Sequence, residues 1–167
     1  LYPWGVSKRQ SLPSFYNLHK LRGGAVCKAE IVRGIGKALG MEVLVPKNAT
    51  GDVDTDLFAK AEATLELLQQ YDFVVAHFNG TDEAAHRYDA LEKVAFIERI
   101  DKEFLGTVLS AVQESLKIVI CGDHVTSSVT GKHDRGVVPV LAWSSEYATK
   151  KLENYQDIIK FLMKECD

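Results

Sequence analysis

The apolar residues of the chain fall into two kinds of pattern, short unbroken runs and longer stretches with helical spacing. Four short runs are rich in aliphatic and aromatic residues and end at turn-forming residues, which is typical of strands in a buried sheet. These runs cover residues 41–45, 73–78, 116–121 and 138–143. The pattern therefore predicts four short strands.

Helical spacing of the apolar residues fills most of the chain between these runs. It predicts helices over residues 25–39, about 54–70, about 90–114 and about 154–164. Residues 1–24 are rich in Pro and Gly and are predicted to be an extended, irregular segment. Because strands alternate with helices, we expect one α/β domain over residues 1–167, with three layers and a mainly parallel sheet between helices.

Polar residues follow two of the predicted strands at the point where each strand ends. Asp82 and His86 come after the second strand, and their spacing would place both side chains on one face of a helix. Asp123 and His124 follow the third strand directly. Because ligands bind at the carboxyl ends of parallel strands, we expect these four residues to meet there, with His133 joining them from a loop. Carboxylates and imidazoles together suit Zn²⁺ or Mn²⁺ better than Ca²⁺.

Each of these signals also has a simpler interpretation. In a lone Asp-x-x-x-His motif, Asp82 would cap a helix and His86 would be a solvated residue. Two Asp and three His from separate segments favour the metal site over that interpretation. Thr126, Ser127 and Ser128 lie beside Asp123 and His124, but a hydroxyl without a metal or base is a poor nucleophile. We interpret these three as residues that supply hydrogen bonds within a turn.

Composition and charge exclude several function classes. The formal net charge is −3, so no basic surface is expected for nucleic acid or anionic lipid, and neither is expected as a partner. No apolar run approaches the ~18 residues of a membrane span, and no signal-peptide pattern opens the chain. The odd number of cysteines, Cys27, Cys121 and Cys166, predicts a reducing, cytoplasmic setting. Lys8 and Arg9 are weak candidates for contacting a phosphate group.

Several motifs resemble those of one enzyme family over nearly the whole chain. The most specific is G-T-D-E-A-A-H at residues 80–86, followed by G-D-H at residues 122–124 and then His133. Weaker matches are W-G and S-L-P-S-F near the start, G-I-G-K-A-L-G-M at residues 34–41, and residues 98–101. The chain thus resembles the C-terminal part of the cofactor-independent (2,3-bisphosphoglycerate-independent) phosphoglycerate mutases of archaeal type, which belong to the alkaline phosphatase superfamily.

This resemblance implies an alkaline-phosphatase-like fold and an enzyme that interconverts 3-phosphoglycerate and 2-phosphoglycerate in glycolysis and gluconeogenesis. It implies two divalent ions, Mn²⁺ first and Zn²⁺ or Mg²⁺ as alternatives, and no bisphosphoglycerate cofactor. By the positions of the motifs, one ion would be held by Asp82, His86 and His133, and the other by Asp123 and His124.

The resemblance also implies that this chain is a partial enzyme. In the family, an Asp and a nucleophilic Ser near the N-terminus complete the second metal site, ahead of a substrate-binding insertion. We expect these parts, including the N-terminal strands, to lie upstream of Leu1, in a longer or processed chain. The isolated chain is then expected to be inactive. Val125 and Ser127 stand where the family commonly has Ser and Pro, so the geometry of this loop is expected to differ.

Two other functions remain open from the residues alone. The same metal cradle occurs in phosphomonoesterases, phosphopentomutases and related phosphotransferases, and the ligands do not separate these from a phosphoglycerate mutase. The chain as it stands could instead be a non-catalytic α/β module that binds metal or a protein partner, which the absent nucleophile and the aromatic residues Tyr2 and Trp4 would favour.

Overall fold

The computed structural model describes residues 11–112, 115–144, 152 and 154–163. The chain divides into two compact units, Leu1–Asn79 and Gly80–Asp167. The first unit contains the parallel sheet, and the second contains the five residues expected to bind metal.

The first unit is organised around a three-stranded parallel sheet with the order β2-β1-β3. β1 is the central strand, and all four of its residues are buried. The elements of this unit are α1 (Phe15–His19), β1 (Gly23–Val26), α2 (Glu30–Ala38), β2 (Glu42–Leu44), α3 (Leu57–Leu68) and β3 (Phe73–Ala76). The predicted α/β class and a parallel sheet are thereby confirmed.

The predicted helix over residues 25–39 is wrong at its beginning. Ala25 and Val26 belong to β1, and the helix begins only at Glu30. Gly24 lets α3 lie directly on this strand, because a Cβ atom at Gly24 would lie 3.0 Å from Cδ1 of Leu67. Strands β2 and β3 then pair with the two edges of β1. Tertiary contacts therefore decide the structure of a segment whose apolar spacing also fits a helix.

The segment before β1 is also more regular than predicted. α1 begins after Ser14, whose Oγ accepts a hydrogen bond from the Asn17 amide at 3.1 Å. The helix ends at His19 and is followed by the C-cap residue Lys20, which has a positive φ of 60°. Its Phe15 is buried against the ring of Phe73 at a centroid distance of 4.9 Å. A cap and one buried aromatic residue thus stabilise a five-residue helix that Pro and Gly content had argued against.

The second unit combines helices with two antiparallel strand pairs. β4 pairs with β7, and β5 pairs with β6. Its elements are α4 (Gly80–His86), α5 (Ala90–Arg99), a π-helical segment (Ile100–Leu105), α6 (Gly106–Ala111), β4 (Lys117–Cys121), β5 (Val125–Ser127), β6 (Lys132–Asp134), β7 (Val140–Ser144) and α7 (Tyr155–Met163).

Three predictions for this unit change in detail. The long helix after Asp89 is helical up to Ala111, but its middle turn is π-helical. The strand at Lys117–Cys121, which we expected to extend the parallel sheet, pairs with β7 in the antiparallel sense. The predicted loop after His124 contains the β5–β6 hairpin. Among the described residues, no helix is both long and apolar enough to cross a membrane.

Candidate metal centre

α4 supplies the first two of the predicted ligands. Asp82 and His86 are one helical turn apart, and Nε2 of His86 lies 3.4 Å from Oδ2 of Asp82. The helix is tightly packed on its other face, because Ala84 and Ala85 are completely buried. The small side chains of the A-A pair thus let α4 lie deep in the unit while the D-x-x-x-H face remains open.

The β5–β6 hairpin supplies the next ligand. Thr126 of β5 and His133 of β6 are cross-strand partners, so their side chains lie on the same face of the hairpin. This face meets Asp82, because α4 packs against β5. His133 Nε2 lies 3.6 Å from Asp82 Oδ1, and the Thr126 hydroxyl donates a hydrogen bond to the same oxygen at 2.5 Å.

His124 joins this group from the segment between β4 and β5. Its ring lies 4.2 Å from the ring of His133, centroid to centroid. Asp82, His124 and His133 each offer one ligand atom, and these atoms all lie within 4.8 Å of one another. That spacing and the mixed carboxylate and imidazole donors fit a small divalent ion such as Zn²⁺ or Mn²⁺.

Asp123 lies at the edge of the group. Its carboxylate is 79% exposed, and its Oδ2 is 3.7 Å from Nε2 of His124. Its backbone is held by Tyr155 of α7, whose hydroxyl lies 2.9 Å from the Gly122 carbonyl and 3.0 Å from the Asp123 carbonyl. The structure therefore brings Asp82, His86, His124 and His133 together, and Asp123 is adjacent to them through His124.

The orientation of His86 is set by a backbone carbonyl. Nδ1 of His86 is 2.8 Å from the carbonyl oxygen of Gly131. A carbonyl only accepts hydrogen bonds, so Nδ1 carries the proton and Nε2 of the neutral ring keeps its lone pair. Nε2 is the nitrogen that faces Asp82. A partner of this kind on the second nitrogen is typical of metal-binding histidines.

Gly131 is suited to this role by its backbone conformation. Its φ is +61°, a value that favours glycine. The ring of Tyr88 covers the glycine so closely that an added Cβ would lie 2.7 Å from its Cζ atom. A side chain at this position would therefore disturb the carbonyl that orients His86.

Some of these supporting residues were not predicted from the sequence. Thr126 was interpreted as a turn residue, and that interpretation is wrong, because its hydroxyl binds Asp82. The interpretation as a turn residue is confirmed for Ser127, since its Oγ accepts hydrogen bonds from the amides of Val129 and Thr130. Tyr155 carried no signal in the sequence. Lys8 and Arg9 lie outside the described residues.

Comparison with known proteins places these residues in a family. The model of the metalloenzyme superfamily matches residues 3–161. The chain belongs to the metalloenzyme superfamily. The metalloenzyme match spans both units of the chain, including every predicted ligand.

Two of the similar proteins carry the same name. The chain is 36% identical over 159 residues to the 2,3-bisphosphoglycerate-independent phosphoglycerate mutase of Methanopyrus kandleri, covering 95% of this chain and 38% of the relative. It is 41% identical over 140 residues to the enzyme of the same name from Saccharolobus islandicus, covering 83% of this chain and 34% of the relative. The chain thus spans little more than a third of the length of these relatives. The resemblance to cofactor-independent phosphoglycerate mutases is confirmed.

Two solved structures resemble this chain in fold. A protein of Pyrococcus horikoshii matches with a TM-score of 0.77 and 35% identity, covering 83% of this chain and 42% of that one. The cofactor-independent phosphoglycerate mutase of Thermoplasma acidophilum matches with a TM-score of 0.56 and 19% identity, covering 82% of this chain and 30% of that one. The second match bears on the fold alone, and the predicted fold family is confirmed.

Proposed function

We propose that this chain provides metal-binding residues of a phosphoglycerate mutase that interconverts 3-phosphoglycerate and 2-phosphoglycerate without a bisphosphoglycerate cofactor. The observation that carries the proposal is the cluster of Asp82, His86, His124 and His133 in a chain whose relatives bear that enzyme's name. The reaction would serve glycolysis and gluconeogenesis in the cytoplasm. A reducing setting is supported by Cys27 and Cys121, which are free thiols.

Two divalent ions, Mn²⁺ before Zn²⁺ or Mg²⁺, are the proposed cofactors. Asp82, His86 and His133 would hold one ion, and Asp123 and His124 would contribute to the other. The ligand atoms of Asp82, His124 and His133 lie within 4.8 Å of one another, so the two proposed ions would be neighbours. The carboxylates of Asp82 and Asp123 supply the negative charge that a doubly charged cation needs.

Two ions held by these residues would supply binding of the phosphate oxygens, activation of a hydroxyl nucleophile and compensation of the charge on the leaving oxygen. The residues of this chain act by holding donor atoms in place. His86 presents Nε2 because Gly131 holds its Nδ1, and Tyr155 holds the backbone that carries Asp123 and His124. Fixed donors of this kind reduce the reorganisation required when charge develops in the transition state.

The rest of the machinery is proposed to lie outside these 167 residues. The relatives are more than twice as long, which leaves room for the nucleophilic Ser, the Asp that completes the second ion's site and the substrate-binding insertion. Lys8 and Arg9 remain proposed phosphate contacts. On this proposal the isolated chain binds metal but does not turn over phosphoglycerate.

The test is an assay of the full-length parent protein on 3-phosphoglycerate, with Mn²⁺ and without bisphosphoglycerate. Asp82→Asn should reduce kcat/KM by at least about 100-fold, because it weakens a direct ligand rather than a supporting group. Asp134→Asn is the matched control, since this exposed carboxylate accepts a hydrogen bond from the Arg135 amide and, among the described residues, forms no hydrogen bond or ion pair with the side chain of a proposed ligand. Faster hydrolysis of simple phosphate esters than mutase turnover would assign a phosphomonoesterase instead. A parent protein that binds metal but acts on neither 3-phosphoglycerate nor simple phosphate esters would support a non-catalytic module.

A further inference from the structure

Thr126 occupies the position between two of the proposed ligands. Its hydroxyl donates to Oδ1 of Asp82 at 2.5 Å and lies 3.1 Å from Nδ1 of His124. The residue is only 5% exposed, so water does not compete freely for these hydrogen bonds. One hydroxyl group thus contacts one carboxylate and one imidazole, which the proposed function assigns to different ions.

The direction in which this hydroxyl donates its single proton determines the tautomer of His124. An ionised carboxylate only accepts hydrogen bonds, so the Thr126 proton points to Asp82. The hydroxyl oxygen must then accept from His124, which requires the proton of the neutral imidazole to be on Nδ1. Nε2 of His124 is left with its lone pair. This is the nitrogen that lies toward Asp123, at 3.7 Å from its Oδ2.

The backbone that carries this hydroxyl is held by Lys93 and by the pairing of β5 with β6. The Thr126 carbonyl accepts a hydrogen bond from Nζ of Lys93 at 2.8 Å. The β5–β6 ladder fixes the side of the hairpin on which the Thr126 side chain lies, next to His133. The position of the Thr126 hydroxyl, which donates to Asp82, is therefore fixed by α5 and by the hairpin before any ion binds.

We propose that Thr126 is a positioning residue for divalent metal binding, whose hydroxyl orients the Asp82 carboxylate and selects the His124 tautomer with Nε2 open for ligation. The metal-binding part of this inference rests on the proposed function. The tautomer of His124 does not, since it concerns the metal-free protein.

The first experiment is nitrogen NMR of the histidine side chains in the metal-free 167-residue chain, at a pH above the ordinary imidazole pKa. His124 should carry its proton on Nδ1, and Thr126→Val should shift it toward the Nε2 form. Thr126→Ser keeps the hydroxyl and should retain the wild-type tautomer. A wild-type spectrum with the proton on Nε2 of His124 overturns the proposal without the need for any variant.

The second experiment is calorimetric titration of the same chain with Mn²⁺ and with Zn²⁺. Thr126→Val should weaken binding by about 10- to 100-fold, and Thr126→Ser should recover most of it. Thr64→Val is the matched control, because it removes another buried hydroxyl, which donates only to the Lys60 carbonyl at 2.8 Å.

The outcomes separate this inference from the proposed function. If wild type binds neither ion, the proposed metal site is refuted. The NMR measurement of the His124 tautomer still tests the role of Thr126. If wild type binds and Thr126→Val binds equally well, the metal site stands and the positioning role is overturned. Equal weakening by Thr126→Ser and Thr126→Val would also overturn it, because the hydroxyl would then not be the cause.

Discussion

The imidazole of His86 and the carbonyl oxygen of Gly131 are 2.8 Å apart, although the two residues are separated by 45 positions in the sequence. This hydrogen bond ties α4 to the end of the β5–β6 turn. It depends on a glycine with φ of +61°, which is covered by the ring of Tyr88. A donor atom on one element is therefore oriented by the backbone geometry of another.

The first prediction concerns this glycine. Gly131→Ala should lower the free energy of unfolding by about 1–2 kcal/mol because of its positive φ. It should also weaken Mn²⁺ binding by about 10-fold, because the carbonyl moves away from His86. Chemical denaturation and calorimetry measure the two effects.

Two further variants separate the causes. Gly34→Ala is the control, because it lies in α2 with nothing within 4 Å of an added Cβ, and a helix favours Ala over Gly. Adding Tyr88→Ala to Gly131→Ala should relieve the contact with the ring but not the strain in φ. Unchanged Mn²⁺ affinity in Gly131→Ala would show that the carbonyl does not orient a ligand.

The second prediction concerns Tyr155. Tyr155→Phe removes the hydroxyl that contacts the carbonyls of Gly122 and Asp123. We expect a loss of about 1 kcal/mol in stability and faster amide exchange around His124. Tyr16→Phe is the control, since Tyr16 is 55% exposed on α1. Exchange rates that stay at the wild-type value near His124 would argue against a role for Tyr155 in holding this segment.

The third prediction is a pH dependence of stability caused by Lys60 of α3. This side chain is 1% exposed, and burial lowers the pKa of Lys60 from 10.5 to about 8. Above pH 8 the unfolded chain therefore binds more protons than the folded chain, so the free energy of unfolding should rise with pH. Burial also raises the pKa of Cys27 above 9.0, which acts in the opposite direction at higher pH.

The effect of Lys60 should therefore be measured between about pH 8 and pH 9. Over this range the deprotonation of Lys60 should raise the free energy of unfolding by about 1 kcal/mol. Denaturant unfolding at a series of pH values measures this slope. Lys60→Met should remove this rise of the free energy of unfolding with pH. Lys37→Met, on the exposed side of α2, should leave the rise unchanged. In a Cys27→Ala background the rise should continue toward 10.5. Equal slopes in wild type and Lys60→Met would refute this origin of the pH dependence.

The fourth prediction concerns metal addition and removal. Mn²⁺ at ~100 times its dissociation constant should stabilise the folded chain by about 2.7 kcal/mol, and a chelator should reverse the gain. Asp82→Asn should abolish the stabilisation, and Asp134→Asn should preserve it. Differential scanning calorimetry with and without the ion compares the variants. A gain of equal size in Asp82→Asn would place the bound ion elsewhere.

Local patterns were sufficient for several elements. α3 was predicted because its apolar face repeats with helical period. In the structure its N-cap is Asp56, whose Oδ1 accepts a hydrogen bond from the Ala59 amide. β3 was predicted from a short apolar run that ends near Gly80. The grouping of Asp82, His124 and His133 was also predicted, but for a different reason. Packing of α4 against the β5–β6 hairpin brings them together, whereas we had expected a shared edge of parallel strands.

Other features depend on contacts that no spacing rule describes. β1 was assigned to a helix because Val26 fits a helical period, but its neighbours in the sheet decide its structure. The bond between Tyr155 and the Gly122 carbonyl spans 33 residues and follows no motif. Thr126 is one of several hydroxyl residues beside His124, and only the register of β5 with β6 distinguishes it from Ser127.

All five proposed ligands lie between Asp82 and His133, inside the second unit, while the three-stranded sheet belongs to the first. The ion proposed to be held by Asp82, His86 and His133 would cross-link α4 and the β5–β6 hairpin. Removing this ion would leave the hydrogen bonds of the parallel strands intact and would destabilise only α4 and the β5–β6 hairpin. The metal-free chain should then unfold in two separate thermal transitions. Raising the ion concentration should increase the midpoint temperature of only the transition that belongs to the second unit.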